Sequence, residues 1–135
     1  MIKQTFNHNL FLEICGKLKE VDNCRLSSNT LYAYMLSEYA FTYVSYDNEI
    51  MNGCLVLRLF NDNEGNISFL MLFIWVNAHY PKLLEEFVKL TDKKAKELDV
   101  KKIYFVANRK EEVIIRRVGK FGFKRAYITY CKEVG

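Results

Sequence analysis

The sequence predicts an α+β fold: one mixed, mostly antiparallel sheet with a central βαβ unit and helices on both faces. Three observations predict it. Two segments with helical spacing open the chain. Three strand-like runs then follow with only short turns between them, which is the order of antiparallel hairpins. Finally, residues 67–107 read strand, helix, strand, and two strands joined through a helix run parallel.

The first helix is expected over residues 9–21, where Leu10, Phe11, Ile14, Leu18 and Val21 mark one apolar face. Ser27, Ser28 and Asn29 are good caps for a second helix from about Thr30 to Tyr39, burying Leu31, Tyr34, Met35 and Tyr39. The period then changes. Phe41 to Tyr46 is aromatic and β-branched, and Asp47-Asn48 turns the chain into a second strand, Cys54 to Phe60. The run NDNEGN, residues 61–66, is a hairpin turn in which Gly65 is able to take a positive φ. Ile67 to Val76 is a third strand, and its continuous apolar run points to burial on both faces.

Pro81 fits the first turn of a helix, where its missing N–H costs nothing. Leu83, Leu84, Phe87, Val88, Thr91, Ala95 and Leu98 mark its buried side, and Glu85–Lys89 and Asp92–Lys96 pair along the wet one. Ile103 to Ala107 is a short buried strand. A helix from about Lys110 to Lys120 buries Val113, Ile114 and Val118, and Gly122 stops it between Phe121 and Phe123. Ala126 to Glu133 is expected to close the chain as a strand.

With 135 residues and one proline the chain suits a single domain over 1–135. No stretch reads as a signal peptide, and the longest apolar run, Phe69 to Val76, is far too short for a membrane span. Cys15, Cys24, Cys54 and Cys131 show no C-x-x-C spacing and read as reduced packing residues of a cytoplasmic protein. Neither His8 nor His79 sits at metal-ligand spacing from a cysteine, so no metal is expected. The net charge of +4 is uneven: residues 1–80 carry −3 and residues 81–135 carry +7. The basic half suits a nucleic acid, an anionic cofactor or plain solvation.

The element order, with the ending KFGFKRAYITYCKEV, resembles the GCN5-related N-acetyltransferase (GNAT) superfamily. The ending TYCKEV is similar to small members encoded by bacteriophages. The resemblance implies that acetyl-coenzyme A lies in an opening between the strands Ile67–Val76 and Ile103–Ala107. It implies that the pantetheine arm runs along the backbone of Phe73, Ile74, Trp75 and Val76, and that the pyrophosphate sits on the helix starting at Pro81. The family's R/Q-x-x-G-x-G/A pattern falls on His79, Tyr80, Pro81, Lys82, Leu83 and Leu84, where no glycine remains. Here Lys82 and His79 supply charge instead, and Leu84 places a side chain where a phosphate approaches the backbone. Asn108, Arg116 and Arg117 fall where relatives contact pantetheine or the adenosine phosphate.

The catalytic positions depart from the family pattern as well. Val118 stands where family members carry a proton-donating tyrosine, and the strand Phe69–Val76 contains no acid. Tyr127 and Tyr130 are the remaining proton-donor candidates, each also a plausible sheet residue. Three readings follow. The first is an N-acetyltransferase that takes acetyl-coenzyme A and an amine, on a small molecule or a protein. The second is a non-catalytic binding or inhibitory protein on the same scaffold. The third, a nucleic-acid binder, is disfavoured because the aromatics sit at core spacing rather than on an exposed stacking platform.

Overall fold

The computed structural model of the chain describes residues 2–5, 7–18, 26–106, 111–127 and 130–135. Val21, Cys24, Ala107, Asn108, Lys110 and the side chain of Ile114 therefore lie outside the described residues.

The elements run β1 (Ile2–Gln4), α1 (His8–Leu18), α2 (Ser28–Met35), β2 (Ala40–Asp47), β3 (Ile50–Asn61), β4 (Ile67–Val76), α3 (Pro81–Glu97), β5 (Ile103–Tyr104) and α4 (Glu111–Val118). A 3-10 turn, Gly119–Phe121, follows, and Gly122 ends it at φ 92°, the left-handed stop that its position implied. The five described strands form one sheet in sequence order, β1-β2-β3-β4-β5. The first four are antiparallel neighbours, and β5 pairs β4 in parallel. The βαβ unit thus sits at one end of the described sheet rather than at its centre.

The first two helices start where the sequence supplies an acceptor. Asn7 Oδ1 accepts from the Leu10 amide at 2.8 Å, and Ser27 Oγ accepts from the Thr30 amide at 3.1 Å. One face of the sheet is covered by α1 and α2, through Leu10, Ile14, Leu18, Leu31 and Met35 packed on Val44, Cys54, Val56 and Phe73. The other is covered by α3, through Leu83, Phe87 and Ala95 packed on Tyr43, Leu55, Leu57, Phe69 and Met71. Each such fully buried aliphatic or aromatic side chain contributes about 1.5–3 kcal/mol.

Two irregularities shape the sheet. Val56 pairs with Phe73 and Leu57 with Met71, so Leu72 is an additional residue on β4. Likewise Ser45 pairs with Gly53 and Tyr46 with Met51, leaving Asn52 as an additional residue on β3. Because of the Leu72 bulge, Phe69 and Met71 face α3 while Phe73 and Trp75 face α1. The expectation of burial on both faces of this strand is met in that way.

The structure corrects several boundaries. β1 was not expected, since three residues, IKQ, with one apolar side chain give no usable period. The β2–β3 turn is Asn48-Glu49 at φ 50° and 67°, a two-residue turn that starts β3 at Ile50 instead of Cys54. Tyr39 lies past the end of α2 and is exposed, and Leu98 caps α3 from outside its buried face. The closing strand over Ala126–Glu133 is not formed among the described residues. Tyr130 and Val134 stand 88% and 95% exposed, and β propensity expresses fit to a half-buried surface that these residues do not meet.

Candidate functional site

The site begins with the way β4 leaves β5. The two strands pair only at Phe69–Ile103 and Leu70–Tyr104, with the Phe69 amide donating to the Lys102 carbonyl at 3.0 Å. Beyond Leu70, β4 runs on for six residues, Met71 to Val76, while β5 has ended. On its other side this stretch stays bonded to β3, from Leu57–Met71 to Gly53–Val76. Its β5-side edge therefore has no strand partner among the described residues. Such an edge presents backbone N–H and C=O groups to any extended chain that lies along it.

The four β4 residues proposed for pantetheine alternate in direction. Phe73 is buried towards α1 and α2, Ile74 and Val76 are half-buried towards α3, and the Trp75 ring lies 4.4 Å beneath the Lys17 ammonium. Only their backbone is common to the open edge.

β4 passes through Asn77–Tyr80 into α3, which is set close against the sheet. A Cβ at Gly53 would stand 2.6 Å from Leu83 Cδ2 and 2.8 Å from Phe87 Cε2. The first turn of α3 carries no side-chain cap, and Pro81 opens it. Most amides of the connecting turn are already committed. Asn77 N donates to the Asn52 carbonyl, His79 N to Asn77 Oδ1, Tyr80 N to the Asn77 carbonyl and Leu83 N to the Tyr80 carbonyl. An anion here meets the helix dipole, Lys82 and His79 more than a cradle of N–H groups.

His79 and Lys82 are both exposed, and both border an open cavity of about 420 Å³ shared with Ser45, Asn52, Tyr80 and Glu86. The Tyr80 hydroxyl donates to Asp47, which ties this turn to the β2–β3 hairpin and raises the phenol above its ordinary range. Leu83 is buried in the core, and Leu84 is half-buried beside it. Arg116 and Arg117 are exposed on α4. Asn108 lies outside the described residues.

On the α2 side, the mouth of the split holds Tyr104. Its ring meets Phe60 edge-on at 5.6 Å and stacks on Tyr127 at 5.9 Å. A hydrogen bond with Tyr127, together with burial, pushes the Tyr104 phenol up to about 12. Tyr104 Oη also donates to Asp62 Oδ2 at 3.4 Å. Tyr127 is thus joined to Tyr104 on the hairpin side of the last β4–β5 pair, while Tyr130 is 88% exposed.

Sequence reasoning singled out neither Tyr104 nor Arg58, which pairs with Leu70 one strand inward. Arg58 is the single charge in the apolar run Cys54–Phe60, and that isolation was a readable signal. Val118, where family members carry a tyrosine, is half-buried.

No protein-family model matches the chain, and no curated protein matches its sequence. Solved structures do. The aminoglycoside 6'-N-acetyltransferase AAC(6')-IG from Acinetobacter haemolyticus superposes with a TM-score of 0.77 at 11% identity, over 100% of this chain and 99% of that one. AAC(6')-Iy in complex with the bisubstrate analog CoA-S-monomethyl-acetylneamine gives 0.75 at 11% identity, over 99% and 98%. The ribosomal-protein-alanine N-acetyltransferase from Brucella melitensis biovar Abortus 2308 gives 0.72 at 14% identity, over 99% of each chain. At such identities the likeness establishes the fold, and the chain has a GNAT-like α+β fold.

Proposed function

We propose that the chain is an N-acetyltransferase that uses acetyl-coenzyme A and an amine acceptor, on a small molecule or a protein. The observation that carries this reading is the split after Leu70–Tyr104, which leaves the Met71–Val76 edge without a strand among the described residues. That edge fits a pantetheine arm, an extended chain with amides of its own.

In this reading the backbone of Phe73, Ile74, Trp75 and Val76 holds the arm. The first turn of α3, with His79, Lys82, Leu83 and Leu84, meets the pyrophosphate, and Asn108 and Arg117 lie further along the cofactor. Acetyl-coenzyme A supplies an activated acetyl group on a good leaving thiolate. The chain positions it against the amine between the diverging strands, where proximity carries much of the rate. Water removes the amine proton, and Tyr127, hydrogen-bonded to Tyr104 beside the last β4–β5 pair, is the candidate to return one to sulfur. We read the protein as a small phage-type variant with a degenerate pyrophosphate loop. A reducing cytoplasm suits Cys15, Cys54 and Cys131, which form no disulfide.

A thermal melt with and without acetyl-coenzyme A tests the reading, since a ligand that binds only the folded chain raises the midpoint. At one hundred times the dissociation constant the gain is about 2.7 kcal/mol. An unmoved midpoint at millimolar cofactor rejects it. It would favour a second reading, a non-catalytic binding protein, which draws support from the committed amides of His79, Tyr80 and Leu83.

A further inference from the structure

We infer that the acceptor carries a carboxylate, and that Arg58 is the residue that binds it. This inference rests on the acetyltransferase reading and names the substrate class of the same site.

Cross-strand partners point to one face of a sheet. Arg58 pairs with Ala40 on one side and Leu70 on the other, and Leu70 pairs with Tyr104. These residues therefore share the α2 face, with Arg58 one strand inward from the last β4–β5 pair. The Arg58 guanidinium carbon lies 4.3 Å from the centre of the Tyr34 ring on α2. Its Nε is shielded from solvent and makes no hydrogen bond, while the residue as a whole is half-buried. A buried donor without an acceptor costs stability unless a ligand supplies the missing partner.

No described carboxylate supplies it. Asp62 accepts from Ser68 Oγ, from the amides of Glu64 and Asn66 and from Tyr104. Glu64 pairs with Lys102 at 3.1 Å. Asp62 and Glu64 are thus committed to the β3–β4 hairpin, and among the described residues Arg58 Nε is left without an acceptor.

A guanidinium presents a rigid planar fork, which matches a carboxylate through two parallel N–H···O bonds. Stacking on Tyr34 fixes the plane of that fork and lowers the ordering cost of binding. An acceptor with its amine in the split reaches across β4 to Arg58, somewhat more than one strand spacing of roughly 5 Å, part of which the long arginine side chain covers. Amino acids and the C-terminal ends of short peptides have that reach; a polycationic amine finds a repelling charge.

The test uses the full chain, 15N-labelled and saturated with coenzyme A. N-acetylglycine and N-acetylalanine are titrated against their amides while the arginine Nε–H signals are followed. Arg58→Lys identifies the Arg58 signal. Its flexible ammonium keeps the charge without the fork. The expected result is a saturable shift of the Arg58 signal by the acids, at least about tenfold tighter than by the amides. An Arg58 signal that stays still, or that moves equally with acid and amide, overturns the inference. Through-bond assignment of the arginine side chains on the wild-type chain identifies the same signal independently, so the comparison stands even if Arg58→Lys folds poorly. A chain that binds coenzyme A but shows no acid preference fails here alone. A chain whose melting is unmoved by acetyl-coenzyme A fails at the acetyltransferase reading, and the acceptor assignment falls with it.

Discussion

Among the described residues, Leu70 and Tyr104 are the last at which the two parallel strands of the βαβ unit meet. One residue later β4 is still bonded to β3 and has no described neighbour on the other side. Everything proposed for the cofactor depends on that one-sided pairing.

The pairing predicts an uneven exchange pattern. Along Met71–Val76, amides directed at β3 should exchange slowly, and those directed at the open edge should exchange as solvated groups do. Acetyl-coenzyme A should slow the second set by at least about tenfold. Hydrogen exchange followed by NMR checks this. Uniform protection without ligand would show that the edge is covered by something else.

Lys82 and Lys93 are both exposed lysines of α3, but only Lys82 lies in its first turn. Lys82→Glu should weaken acetyl-coenzyme A binding about fivefold or more, and Lys93→Glu should leave it unchanged. A carboxylate near a helix N-terminus interacts favourably with the dipole, so Lys82→Glu should not lower the melting temperature. Calorimetric titration of both variants, paired with their melts, separates a local site from general charge attraction.

Gly53 is a point of close approach between β3 and α3. Gly53→Ala would set a methyl group 2.6 Å from Leu83 Cδ2 and 2.8 Å from Phe87 Cε2, neither able to retreat from a buried core. The expected cost is about 1–3 kcal/mol. It should be visible in urea denaturation as a lower midpoint with an unchanged slope.

Burial pushes the Cys54 thiol up from 9.0 to about 12, with the neighbouring Glu13 charge adding and Lys17 opposing. The folded chain therefore keeps a proton that the unfolded chain gives up. Cys54 contributes its full stability below about pH 9 and loses it as the pH rises towards 12. Alkaline melts should show this, and Cys54→Ala should flatten that part of the profile. Under native conditions at pH 8 an alkylating reagent should modify exposed Cys131 and spare Cys54, as mass spectrometry of digests would reveal.

The long elements were legible in the sequence because each has one dominant physical cause. Pro81 and a regular apolar stripe mark α3, and β4 matches its expected limits, Ile67–Val76. The NDNEGN turn folds around Asp62, whose carboxylate holds two amides and a hydroxyl. What escaped was decided by neighbours rather than by local pattern. β1 exists because β2 offers it an edge. The expected closing strand had the right residue types, but its described residues, Tyr130 among them, lie exposed.

The candidate site was legible in outline only. β4 and the helix start were placed correctly, while the expected buried strand Ile103–Ala107 forms only over Ile103–Tyr104, half-buried, with Val106 82% exposed and Ala107 outside the described residues. The identities of the polar groups around them were not legible. The stacking of Arg58 on Tyr34 joins residues 24 positions apart across two element types, and no spacing rule in a single sequence encodes such a contact.

The bulge at Leu72 has a consequence for how this protein tolerates insertions and deletions. Were β4 in uninterrupted phase, Phe69, Met71, Phe73 and Trp75 would all point the same way, and one helical layer would be starved of aromatic filling. Removing Leu72 itself would leave Phe73 to Val76 on their present sides, because Met71 and Phe73 would become adjacent and alternate, whereas removing any other single residue within β4 would invert the sidedness of part of the strand. A residue added to the 61–66 turn merely lengthens a loop. Length variation along this hairpin should therefore be confined to its tip and to the bulge.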